Sequence, residues 1–117
     1  MKYSVLFVFT LSLNLLGFGQ NIKDAIKKTD NERFSEATLD FNKLMLLEPT
    51  NACNYFYAGE NYFEKGEIDS AILYWNKTMV MDPESPFSFV GIGKAMLIKG
   101  DLDGATKQFS VALTMTK

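Results

Sequence analysis

Asp101-Leu102-Asp103-Gly104, inside the stretch IKGDLDGA, places two carboxylates one residue apart beside a glycine that permits a sharp turn. Side-chain oxygens at alternate positions are what a hard cation such as calcium needs. The register fails, because such a loop wants an oxygen ligand at its fifth position and glycine at its sixth, and counting from Asp101 these are Ala105 and Thr106. Glu60 and Glu64 stand one helical turn apart and could be imagined as an acid-base pair, but like charges at this spacing are more often a solvated helix face. The stretch VGIGKA, Val90 to Ala95, lacks the upstream glycine and the hydroxyl after lysine that hold phosphate and magnesium, so its glycines read as packing positions. No histidine occurs anywhere, which removes the commonest general base and every Ser-His-Asp or Cys-His arrangement. Asn76-Lys77-Thr78 matches a glycosylation acceptor but falls in the middle of an expected helix. Cys53 is the only cysteine, so an intramolecular disulfide is impossible and the thiol is expected to behave as a small buried hydrophobe. The chain is therefore expected not to be an enzyme, with no catalytic residue, no metal and no cofactor.

The elements that carry these residues belong to one small domain. The chain has 117 residues, 47% hydrophobic and 22% charged, with a net charge of -2. Its 12 basic and 14 acidic residues are spread without a basic block, which gives no footprint for nucleic acid or an anionic membrane surface. The first twenty residues, MKYSVLFVFTLSLNLLGFGQ, read differently: Lys2, an apolar run from Val5 to Leu16 interrupted by Thr10, Ser12 and Asn14, then Gly17 and Gly19. This is the layout of a secretory signal peptide over 1–19, with cleavage expected between Gly19 and Gln20, and the run is too short and too interrupted for a membrane span. A secreted or periplasmic protein of residues 20–117, with no stable membrane span after cleavage, is expected.

That remainder repeats itself. NERFSEATLDF (31–41), KGEIDSAILYW (65–75) and KGDLDGATKQF (99–109) align without gaps, so that Ala37, Ala71 and Ala105 lie 34 residues apart. Phe34, Ile68 and Leu102 keep the same step, as do Phe41, Trp75 and Phe109, and Pro49 and Pro83. A period of this length accommodates two helices of about a dozen residues and their turns. Tyr55, Ala58, Gly59, Tyr62 and Phe63 form one helical stripe, and Ile68, Ala71, Ile72, Trp75 and Met79 form the next. Gly66 and Gly100 suit the left-handed conformation that ends a helix, Ser85-Pro86 suits a helix start, and Thr50 or Asn51 can cap the preceding unit. Asp103, Asp69 and Ser35 are expected to cap the second helix of each unit, and Leu102 to be buried.

On these residues the chain resembles the tetratricopeptide repeat family. Tyr55, Ala58, Gly59, Tyr62, Ala71, Trp75 and Pro83 match the family pattern in the second unit, and Phe89, Ile92, Gly93, Met96, Ala105 and Phe109 match it in the third. The first unit keeps Ala37, Phe41 and Pro49 but departs at Asn21, Asp24 and Lys28. The resemblance implies an all-α superhelix, a solenoid of three helix-turn-helix repeats over about 20–51, 52–85 and 86–117.

It also implies a function in protein-protein interaction. In the family's arrays the first helix of each unit lines a concave groove, which here would carry Ile22, Ile26, Phe56, Tyr57, Glu60, Phe63, Phe87, Val90, Lys94 and Leu97. The carboxylate clamp of the chaperone-binding branch has no counterpart, since Ile22, Ile26, Tyr57, Phe87 and Gly91 occupy the matching positions. The expected partner is a peptide or helix of another protein, with the groove aromatics divided between core and binding surface. The alternative is a self-assembling scaffold, a homo-oligomer built through Val111, Leu113 and Met115 of a last helix that lacks a polar capping helix.

Overall fold

The computed structural model describes residues 21–116; the signal segment expected at 1–19 and its cleavage point lie outside the described residues. Among the described residues there are six helices: α1 (Ile22–Asp30), α2 (Phe34–Leu47), α3 (Ala52–Lys65), α4 (Ile68–Met81), α5 (Pro86–Ile98) and α6 (Leu102–Met115). They pair into three helical hairpins, each packed on the next. The first helices α1, α3 and α5 touch one another in series, whereas the second helices α2, α4 and α6 meet only first helices. The first helices therefore form the inner layer of the array and the second helices the outer one. No helix among the described residues is long and apolar enough to cross a membrane.

Helix starts follow from short polar side chains. Asn21, Asn51 and Ser85 each accept a backbone N–H of the first turn of α1, α3 and α5, at 3.3, 3.1 and 3.2 Å, and Pro86 opens α5. The caps expected at Asp103, Asp69 and Ser35 are not formed, because all three lie inside the first turn of their helices. Asp101 caps α6 instead, its Oδ1 accepting Gly104 N–H at 2.9 Å, while Arg33 and Glu67 precede α2 and α4 without a side-chain cap. The carboxylate that first suggested calcium is thus used up on a helix end. The hairpin turns need a left-handed residue, supplied by Gly66 (φ 93°), Gly100 (φ 87°) and, in the first repeat, Glu32 (φ 61°).

Two clusters form the core. Ala25, Ala37, Phe41, Leu44 and Ala58 fill the first hairpin and its junction with α3, and Phe56, Ala71, Trp75 and Ala95 fill the second and its junction with α5. Full burial of an aromatic ring such as Phe41 or Trp75 contributes on the order of 1.5–3 kcal/mol. Glycine makes the close approaches possible: a β-carbon on Gly93 would lie 2.5 Å from the Phe109 ring, and one on Gly91 would lie 3.2 Å from the Trp75 carbonyl. VGIGKA is thereby a packing segment. Leu102, expected to be buried, is 63% exposed because nothing among the described residues covers the outer side of α6. Cys53 is half-buried on α3, and burial pushes its thiol pKa up. Thr78 of the glycosylation-like triplet is fully buried and donates to Tyr74 O.

Polar groups join the repeats. Asn61 of α3 donates to Phe34 O at 3.2 Å and Thr38 Oγ1 at 2.9 Å and accepts from Thr29 Oγ1 at 2.8 Å, so one buried amide ties three helices together. Asn54 Nδ2 donates to Leu44 O and Glu48 O at the end of α2, both at 3.3 Å. One repeat later the single hydroxyl of Ser88 lies between two carbonyls, 3.0 Å from Thr78 O and against Asp82 O at the end of α4, so that one proton serves either acceptor. Lys28, which departs from the apolar pattern, pairs with Asp40 at 2.5 Å.

Candidate protein-interaction surface

The inner layer carries a run of rings. Phe56 and Tyr57 of α3 meet edge to face with centroids 5.1 Å apart, and Phe87 of α5 lies 5.3 Å from Phe56 and 5.8 Å from Tyr57. Farther along the same helices Lys94 reaches across from α5 to Glu60 of α3, Nζ to Oε1 2.6 Å. The ammonium stands 5.2, 5.7 and 5.9 Å from the ring centres of Trp75, Phe56 and Phe63, so its charge is held by one carboxylate and three aromatic rings. Burial, with smaller contributions from the charges of Cys53 and Glu60, raises the Tyr57 phenol pKa.

Next to this cluster a depression of about 90 Å³ opens between α1 and α3, lined by Ile26, Thr29, Asp30, Tyr57, Glu60 and Glu64 among others. Glu60 is paired with Lys94, while Glu64 lines the same depression. No group of three or more cysteine, aspartate or glutamate side chains that could hold a metal occurs among the described residues.

The expected groove residues divide. Tyr57, Glu60, Phe87 and Lys94 are half-buried and adjoin one another, while Phe63 and Leu97 are exposed at 36% and 47%. Phe56 is only 7% exposed and is a core residue, because Tyr57, Phe87 and Lys94 cover it. Ile22 and Ile26 pack on the first core cluster. Val90, with Phe87, borders a separate apolar cavity of about 400 Å³ against Phe109, Ala112 and Leu113 of α6. Sequence reasoning missed the Glu60–Lys94 bridge, although a signal for it was present: the two residues are 34 apart and so face each other from equivalent positions with opposite charge.

No family model and no curated protein sequence matches the chain. Solved structures do. MamA superposes with a TM-score of 0.60 at 28% identity over 76% of this chain and 52% of its own. The type III secretion translocator chaperone SycD of Yersinia enterocolitica, in complex with a peptide of the translocator YopD, superposes with a TM-score of 0.65 at 20% identity, over 87% of this chain and 76% of its own. An alternative dimer of SycD gives 0.67 at 21% identity, covering 84% and 74%. Both are tetratricopeptide-type helical repeat proteins. The chain is a three-repeat array of that fold. It spans about half the length of MamA. Within the tetratricopeptide-type frame, the Phe56–Tyr57–Phe87 rings and the Glu60–Lys94 bridge lie where consecutive first helices meet.

Proposed function

We propose that the chain is an exported protein-protein interaction module that binds a peptide or helix of a partner protein along its inner layer, and that it performs no catalysis. The observation that carries this reading is the half-buried set Tyr57, Glu60, Phe87 and Lys94, with Phe63 and Leu97 exposed beside it: rings with few rotatable bonds next to an ion pair on a preformed surface. Glu60 and Lys94 give the surface a polar element that can exchange partners with an incoming peptide. The co-crystallised peptide of SycD supports the reading by fold likeness. Export rests on the signal-like residues 1–19. A second reading, self-association through the last repeat, is favoured by the exposed Leu113, Val111 and Met115.

Affinity capture from the native envelope, comparing the parent with a Tyr57→Ala, Phe63→Ala double variant, tests the surface. The parent is expected to recover a partner that the variant loses, and equal recovery would count against it. Recovery of the protein in the envelope fraction tests export, and its intact mass tests cleavage between Gly19 and Gln20 against retention of residues 1–19 as an anchor. Light scattering across a concentration series separates the second reading, since a concentration-independent monomer excludes it.

A further inference from the structure

The depression of about 90 Å³ between α1 and α3 gathers three carboxylates, Asp30, Glu60 and Glu64, over walls of Ile26, Phe41 and Tyr57. Asp30 closes α1 and Glu64 stands in the last turn of α3, where the partial negative charge of a helix end disfavours an acid. Neither is neutralised: the ion pairs among the described residues are Lys28–Asp40, Arg33–Glu36, Lys65–Glu67 and Glu60–Lys94, and none of them uses Asp30 or Glu64. Lys27, in the last turn of α1, is exposed and pairs with neither. Glu60 adds an independent sign. Its Oε1 is sealed from solvent and, although Lys94 Nζ stands 2.6 Å away, accepts no hydrogen bond, so a buried acceptor at the depression lacks a donor. The three acids do not converge as metal ligands do. Local rules broken without compensation inside the chain are expected where a binding partner supplies it.

Given an inner layer that binds a peptide, as proposed above, we infer that the bound segment carries a lysine or arginine whose cationic end enters this depression. Its stem lies along Ile26, Phe41 and Tyr57, and its N–H groups meet Asp30, Glu60 and Glu64. The Tyr57 ring offers a face to the cation as well. The depression has room for several waters or for one ammonium or guanidinium group. An acidic side chain would meet net negative charge here, because the adjoining Lys94 is already held by Glu60 and by the rings of Trp75, Phe56 and Phe63. Charge complementarity therefore selects a basic occupant.

Selection of a phage-displayed library of random dodecapeptides on the purified protein tests this. The selected peptides should share a lysine or arginine. With a fluorescein-labelled selected peptide, replacing that residue by norleucine or citrulline should weaken binding to the parent by about tenfold or more in anisotropy titrations. On the Asp30→Asn, Glu64→Gln variant the same replacement should change affinity by less than about threefold. Asp69→Asn, Asp103→Asn alters net charge equally at exposed sites on the second helices and should keep the discrimination. Because two acids are removed from helix ends that disfavour them, the first variant should unfold at a Tm no lower than the parent's. Selected peptides with no basic residue in common, discrimination that persists in Asp30→Asn, Glu64→Gln, or a lowered Tm that makes these acids structural overturns the inference and leaves peptide binding by the inner layer standing. Selection of no peptide, or peptides bound equally by the Tyr57→Ala, Phe63→Ala variant, overturns that reading and the inference with it.

Discussion

Gly59 of α3 and Trp75 of α4 fit so closely that a β-carbon on the glycine would lie 2.5 Å from indole Cδ1 and 2.6 Å from Nε1. Trp75 is fully buried, so the ring cannot swing clear. Gly59→Ala should cost about 1–3 kcal/mol by overpacking. Gly66→Ala meets no atom within 4 Å, yet should cost about 1–2 kcal/mol because its φ of 93° disfavours any side chain. Thermal unfolding in a Trp75→Phe background separates the causes: the smaller ring should relieve the first penalty and leave the second intact.

Glu32 occupies the left-handed turn position that glycine holds in the other two repeats, with φ 61°. Glu32→Gly should therefore stabilise the array by roughly 1 kcal/mol, equivalent to a rise in Tm of about 4–8 °C for a domain of this size. A calorimetric Tm equal to or below the parent's would contradict this. The first turn lacks a glycine in the sequence, and only the backbone angle shows that it makes the same reversal.

Lys28 and Asp40, joined at 2.5 Å, stand one repeat before Tyr62 and Tyr74, which stack with centroids 5.1 Å apart. An ion pair and a ring pair thus do the same job of joining the two helices of a hairpin. Asp40→Ala, which strands a partly buried ammonium, should cost about 1–3 kcal/mol. The double change Lys28→Tyr, Asp40→Tyr imports the second repeat's solution and should return to within about 1 kcal/mol of the parent by urea unfolding. A double variant as unstable as Asp40→Ala would show that the pair is specifically required.

Burial raises the pKa of the Tyr55, Tyr57 and Tyr62 phenols above their ordinary value of 10.0, and that of the Cys53 thiol above 9.0. In the unfolded chain these groups ionise first, so above the ordinary values the unfolded state binds fewer protons and stability falls as pH rises. Urea midpoints should be level with respect to these groups up to about pH 8.5 and decline above about pH 9.5. Tyr57→Phe should flatten part of the decline. Midpoints that rise through that range would reverse the sign.

The period of 34 residues was legible because small residues and rings recur where helices must approach, and that spacing alone places six helices. Glycine turns were legible because glycine has a conformational privilege. Asp103 was expected to cap α6 and Asp101 does so instead, because a small shift in a helix start decides which carboxylate faces the free N–H groups. The family resemblance put Phe56 and Phe63 in one groove, but whether a groove residue is covered depends on its neighbours, and Phe56 is buried beneath Tyr57 and Phe87. Asn61 was invisible as a core residue for a related reason: a polar side chain announces burial only through partners on other helices.

The bonds from Asn54 and Ser88 run one way, each from a later helix back to the closing turn of an earlier one. A chain leaving a ribosome or a secretion channel amino end first would then offer each arriving hairpin a landing place that is already complete. No early segment has to wait for a later one to supply those acceptors, so the array can grow vectorially, as masonry does on a finished course.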